Sequence, residues 1–317
     1  MMGFVFRRIL YAIPIALAVA AIVFSLVHLA PGDPLSAVIP PDAPAEVVTA
    51  IIQAYGMDRP LIVQFGSWVG RAIQGDLGYS VATGRPVIND ILAALRNTLL
   101  LAFSAGFLGF SLGIFLGALA AFQVGTWIDK LATGLAVTGV SIPHYWLGLI
   151  LVIIFSVQLD WLPSMGAGPG ASADWRPDWE HLRYLILPAV TMCFIPLGIV
   201  TRTVRAQVSE ILHSEFIIAL RARGLRTRAI AWHVTKNAAP TVLSVMGLQF
   251  GYLLGGSILV ETVFSWPGTG FLLNTAIFQR DIPMLQGVIL VLAMFFVTLN
   301  LLVDIAQTLL DPRIRRD

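Results

Sequence analysis

Six stretches of the chain carry no Asp, Glu, Lys or Arg: residues 9–30, 98–122, 131–159, 184–201, 240–260 and 282–303. Crossing a bilayer takes about 20 residues of helix, so each stretch predicts one transmembrane span. Each span must be helical, because lipid offers no partner to an unpaired backbone amide. A β-barrel would alternate apolar and polar residues with period two, and no such alternation runs through these stretches. The pattern therefore predicts an all-α membrane protein with six spans. It divides into 1–30 (N-terminus and first span), 31–97 (a long polar segment) and 98–317 (a five-span core).

The intervening segments have patterns of their own. After Pro60, the residues Leu61, Phe65, Trp68, Val69, Ala72 and Ile73 fall on one helical face, and Gly75 ends the run. A second amphipathic helix is expected over 44–55. Pro86 starts a third, over 87–95, that leads into the second span. These helices either pack against the spans, lie on the membrane surface or cap a mouth. Segment 160–183 is rich in Gly, Pro, Asp and Trp and reads as irregular. Its Trp161, Trp175 and Trp179 suit the headgroup layer. In the second span Gly109, Gly113 and Gly117 recur every four residues, and Gly251 and Gly255 do so in the fifth. Such ridges let helix backbones approach closely, within the chain or to a partner. A substrate path lined by backbone is the alternative.

Composition agrees with the pattern. The chain is 57% hydrophobic and 12% charged, against roughly 25% charged in a soluble domain. A net charge of +2 gives no footing for nucleic acid. The basic residues set the orientation. With the N-terminus in the cytoplasm, 13 of the 20 Lys and Arg lie in cytoplasmic segments and 7 in the longer outer ones. Both termini are then cytoplasmic and 31–97 is extracytoplasmic. Arg7 and Arg8 precede the first span as they would a signal peptide. Pro31 would follow the cut at the exit of that span, so the span is read as retained. Cys193 is the only cysteine, so no intrachain disulfide can form.

Chemical machinery is missing from the sequence. There is no phosphate-cradling glycine loop, no HExxH and no Cys/His cluster at metal-ligand spacing. His28 and His144 lie in or near apolar spans and read as structural. No acidic residue sits at the middle of a span. Glu261 and Asp304 lie at span ends and are expected to be close to water. A coupling-ion site would need an ionisable group at mid-membrane. Both an ATPase and an ion-coupled carrier are thus disfavoured, as is a membrane enzyme. Energy for active transport would enter through another protein.

Segment 206–240 is the candidate input port. A helix is expected through 210–223, with Gly224 stopping it in a left-handed conformation. Thr227 would cap a short second helix over 228–234, and Asn237, Ala238, Ala239 and Pro240 would end it and start the fifth span. That short helix would present Leu225, Ile230, Trp232 and Val234 to a groove on a soluble partner. A basic topogenic loop without a partner is the competing reading.

Resemblance favours the port. Glu215-Phe216, then Arg221-Ala222-Arg223-Gly224-Leu225, then Asn237-Ala238-Ala239-Pro240 resemble the ATPase-docking loop of ABC-importer permeases. The variant is similar to that of the dipeptide, oligopeptide and nickel subfamily. Further matches in family order are Pro31-Gly32-Asp33-Pro34, Gly75-Asp76-Leu77-Gly78 with Ser80, and Ser141-Ile142-Pro143. Glu261-Thr262 with Phe264-Ser265-Trp266-Pro267-Gly268 and Gly270, and Asp281-Ile282-Pro283 with Gln286-Gly287, complete the set. The early motifs resemble the first of the two permeases in such systems. Ile218, Ala219 and Leu220 depart from the pattern, Leu220 being bulkier than the usual Ala. The resemblance implies the type I importer permease fold and an inner-membrane location. It also implies a complex with a second homologous permease, two cytoplasmic ATPases that carry the ATP and magnesium, and an extracytoplasmic solute-binding protein. No catalytic residue, metal or cofactor is implied on this chain. Dipeptides, longer peptides, nickel chelates, glutathione and sugars all remain open as substrate.

Overall fold

The computed structural model describes residues 2–29, 44–46, 48–49, 58–173 and 175–310. Among them the ordered elements are helices, joined by turns and one irregular segment. They are α1 (Met2–Leu29), α2 (Leu61–Ile73), α3 (Val87–Phe122), α4 (Trp127–Ser141), α5 (His144–Leu151), α6 (Trp179–Leu212), α7 (Glu215–Ala222), α8 (Thr227–Val263), α9 (Thr269–Gln279) and α10 (Ile282–Leu310).

Four described helices are long and apolar enough to cross a membrane: Val87–Phe122, Trp179–Leu212, Thr227–Gly255 and Ile282–Val303. A fifth crossing exists if the pair Trp127–Ser141 and His144–Gln158 is one broken span. The stretch 131–159, expected as one span, is not a single straight helix: its two halves meet at 99°. Pro143 is the cause. It disfavours helical backbone at the residue before it, and Ile142 is extended at φ −81°, ψ 126°. Beyond the bend, α5 widens into π-type turns over Val152–Gln158. Residues 9–29 of the first stretch fall within α1, which holds the apolar helical segment Ile13–Ser25.

The helix expected over 87–95 is not separate. Pro86 occupies the N-cap, and one helix of 36 residues runs on to Phe122. At 1.5 Å per residue that is about 54 Å, well beyond the roughly 30 Å hydrocarbon core. The helix expected over 44–55 lies largely outside the described residues. Helix α2 is held against α1 by its inner face, with Phe65 and Trp68 at 5.5 and 6.0 Å from the Phe24 ring.

Helix α6 is the centre of the bundle, in contact with α3, α4, α5 and α8. Glycine sets these approaches. A Cβ on Gly109 would stand 2.7 Å from the Cys193 carbonyl oxygen, one on Gly113 2.9 Å from Val200 Cβ, and one on Gly117 2.6 Å from the Thr201 carbonyl oxygen. The ridge on α3 is therefore occupied by α6 of the same chain. Gly198 of α6 meets Ala136 of α4 in the same way. In α8, Gly251 lies under the Phe296 ring of α10, but nothing comes within 4 Å of a Cβ built on Gly255. Gly255 therefore sets no helix approach within this chain. The main core gathers Leu101, Met192, Phe250, Leu254, Phe264 and Trp266. Trp175 packs on that core, whereas Trp161 and Trp179 are exposed.

Candidate functional sites at the two ends of the bundle

The elbow over 206–240 is built differently from the expectation. Helix α6 stops at Leu212, not at 223. Ser214 turns its hydroxyl onto the Ile211 carbonyl oxygen (2.6 Å) and α7 begins at Glu215. Gly224 has φ +73°, the left-handed conformation that closes α7. The Gly224 amide donates to the Arg221 carbonyl and the Leu225 amide to that of Leu220, at 2.9 and 3.2 Å. Thr227 is the first residue of α8, not its cap. Arg226 holds the cap position without a side-chain bond. No break follows at Asn237–Pro240, since α8 runs unbroken for 37 residues through Pro240. Proline removes one backbone donor, but membrane helices tolerate this where neighbours cover the freed carbonyl. Asn237 Nδ2 donates to the His233 carbonyl oxygen (2.7 Å) and so strengthens the turn where a stop was expected.

The elbow has a core of its own. Ile217 of α7 and Ile230 and Val234 of α8 are buried against Val204 and Val208 of α6. Ile230 and Val234 are therefore not outward anchors. Leu225 is half-buried on the same cluster, and the unusual bulk of Leu220 packs there too. The outward apolar surface is Phe216, Ile218 and Trp232, which are 47%, 58% and 68% exposed. The Phe216 ring meets His233 edge-on at 5.9 Å, which joins α7 to α8. Exposed Glu215, Arg221, Ala222, Arg223, Arg226, Arg228 and Lys236 surround this patch. The exposure of Phe216 and Ile218 was not foreseen, because helix phase alone does not say which face the bundle covers.

Near the elbow, Asp129 of α4 and Arg205 of α6 form a two-pronged ion pair. Arg205 Nε donates to Oδ1 and its terminal nitrogen to Oδ2 (2.8 Å), while the Gly125 amide also donates to Oδ2 (2.9 Å). Such fork-shaped pairs fix geometry as well as charge. The pair went unseen in the sequence, where 76 residues separate its members.

The opposite end of α8 holds the second site. Glu261 was expected close to water and is instead wholly buried. Its carboxyl accepts from Thr98 Oγ1 of α3 (2.8 Å) and from the Gly270 and Phe271 amides of α9 (2.7 and 3.0 Å). Trp266 is buried beside it and donates Nε1 to the Asn97 carbonyl oxygen (3.0 Å). Asp281 organises a neighbouring joint. It accepts from the Ser80 hydroxyl, the Ala82 amide (3.2 Å) and the Met284 amide (3.2 Å). Motifs far apart in sequence, around residues 76–80, 261–270 and 281–287, thus converge. Between the joints lies a cavity of about 430 Å³ lined by Arg85, Arg96, Trp175, Phe271 and Gln279. Arg85 is paired with Asp90 at 3.3 Å.

Comparisons with known proteins match both halves of the chain. Residues 113–316 fit the family described as binding-protein-dependent transport system inner membrane component, and residues 1–102 fit its N-terminal companion. The glutathione transport system permease protein GsiC of Salmonella typhimurium strain LT2 is 38% identical over 316 residues, covering 99% of each chain. That of Escherichia coli strain K12 is 37% identical with the same coverage. Among solved structures, the inward-facing MetNI methionine ABC transporter matches in fold. Its TM-score is 0.57 at 17% identity, over 70% of this chain and 96% of that one. The chain therefore belongs to the binding-protein-dependent transport system inner membrane components, as a permease subunit of an ATP-binding-cassette importer.

Proposed function

We propose that this permease passes glutathione, or a peptide of similar size, across the inner membrane. The observation that carries the substrate is similarity at 37–38% identity over 99% of both chains to permeases named for glutathione. As a permease subunit it makes and breaks no bonds. ATP hydrolysis belongs to separate subunits, and a solute-binding protein delivers the cargo. In our reading a second, homologous permease completes the path, and the ATP and magnesium sit wholly on two cytoplasmic ATPases. These dock on the elbow, where Trp232, Phe216 and Ile218 offer an apolar patch in a basic rim. Grooves on soluble partners take apolar helix faces of this kind. The elbow and both termini lie in the cytoplasm, and the Glu261 end faces out. ATP-driven closure moves the elbow and biases the bundle between two states.

The test is uptake by the complete complex in proteoliposomes, with the binding protein added outside. Radiolabelled glutathione should enter in an ATP-dependent way and be outcompeted by excess unlabelled glutathione. Uptake of a dipeptide but not of glutathione would overturn the substrate while leaving the permease role intact.

A further inference from the structure

We propose that Glu261 is a positioning residue that locks α9 to the outer end of α8, so that movement of the elbow reaches the wall of the outer cavity. This rests on the elbow being the ATPase dock.

The geometry of the joint carries the inference. A helix begins with amides that have no partner inside it. Here the amides of Gly270 and Phe271 go to Glu261, and the Thr269 amide goes to Thr98 Oγ1 at 2.7 Å. The Thr98 hydroxyl donates in turn to Glu261, and the Thr269 hydroxyl lies 2.9 Å from the Thr98 hydroxyl. One carboxyl thereby joins α8, α9 and α3. Two glycines permit the closure. A Cβ on Gly268 would stand 2.5 Å from Glu261 Oε2, and one on Gly270 2.5 Å from Ile258 Cα. The Trp266 amide closes the turn onto the Glu261 carbonyl oxygen at 2.8 Å.

The joint also has something to transmit. Helix α8 is unbroken from Thr227 at the elbow to Val263 beside the joint. Helix α9 lines the cavity with Phe271, Thr275 and Gln279. A displacement of the elbow is carried along α8 and handed to α9 through Glu261. An ordinary helix cap would need no link to α3 and would not lie at the end of the element that starts at the dock.

The test uses the whole complex, with both permeases and the ATPases, in nanodiscs. Gln279→Cys in a Cys193→Ser background reports the cavity wall through its rate of labelling by a membrane-impermeant maleimide. With Glu261 present, the rate should differ about tenfold between the nucleotide-free and vanadate-trapped states, the mark of a shifted population. Glu261→Gln keeps the shape but replaces an acceptor by a donor. It should abolish the difference while ATPase co-purification and nucleotide trapping stay normal. Thr98→Val should reduce the difference from the α3 side. Thr298→Val on α10, whose hydroxyl bonds the Met294 carbonyl of its own helix (2.8 Å), should leave it intact. A full difference in Glu261→Gln would overturn the lock, as would equal labelling of both states with Glu261 in place. If Glu261→Gln does not assemble, Thr98→Val decides, and an undiminished difference there overturns the lock. Failure of the docking reading appears separately, as normal ATPase co-purification with Gly224→Val, and removes the lock with it.

Discussion

Single residues divide this protein into positions that set helix approach and positions that do not, and the glycines show it most directly. Gly109 and Gly255 look alike in sequence, each part of a four-residue spacing. In space Gly109 is pressed on the Cys193 carbonyl oxygen, while Gly255 has open space around it. Gly109→Val should separate α3 from α6, costing about 1–3 kcal/mol or more through overpacking. Gly255→Ala should be neutral or stabilising by up to about 1 kcal/mol, since alanine is the better helix former. Thermal unfolding of the purified protein in detergent measures both. Equal melting temperatures for the two variants would contradict the assigned packing. A similar contrast holds for charge. Asp129→Asn removes the charge facing Arg205 and turns one of the two oxygens that accept from Arg205 and the Gly125 amide into a donor. It should lower the melting temperature, whereas Glu215→Gln, at an exposed site outside the ion pairs found among the described residues, should not.

At the scale of the element, the elbow makes the sharpest claim. No neighbour lies within 4 Å of a Cβ on Gly224, so the only obstacle to a side chain there is φ +73°. A β-branched residue meets that obstacle at roughly 1 kcal/mol or more. Gly224→Val should therefore misaim α7 against α8, with loss of ATPase co-purification and of uptake but not of membrane insertion. Asparagine tolerates the left-handed conformation, so Gly224→Asn should restore docking. Trp232→Ala should weaken docking by loss of contact area without changing the turn. Normal ATPase recovery with Gly224→Val would return the elbow to a topogenic loop. Much of this element was legible. Gly224 followed by Leu225 is a stop signal that chain chemistry alone explains. The continuity of α8 was not legible, because Asn-Ala-Ala-Pro reads locally as a helix end and only its helical neighbours make Pro240 tolerable. Glu261 was equally hidden. It follows an apolar run, where water is the default, and is enclosed only because Gly268 and Gly270 let a later helix fold back over it. The break at Pro143 lay in plain view but was outweighed by the unbroken apolar run around it.

For the whole molecule the deciding property is the asymmetry of charge between the two ends of the bundle. Arg221, Arg223, Arg226, Arg228 and Lys236 all lie exposed around α7 and the start of α8. The opposite end carries Arg59, Arg71, Arg85, Arg96, Arg176, Arg183 and Arg280 spread over a longer stretch of chain, and Arg85 is neutralised by Asp90. Basic segments stay on the cytoplasmic side during insertion, so the proposed orientation has the elbow inside and α2 outside. That orientation would put the proposed dock where soluble ATPases can reach it and the Glu261 end where a binding protein can. Because the sole cysteine, Cys193, is buried, Cys193→Ser gives a silent background for labelling. Gly70→Cys, on α2 with nothing near its Cβ, should react with an impermeant maleimide in spheroplasts. Arg228→Cys, exposed at the elbow, should react only after the membrane is permeabilised. The reverse pattern would invert the bundle and place the basic patch out of reach of any ATPase. It would end the docking assignment and the lock together.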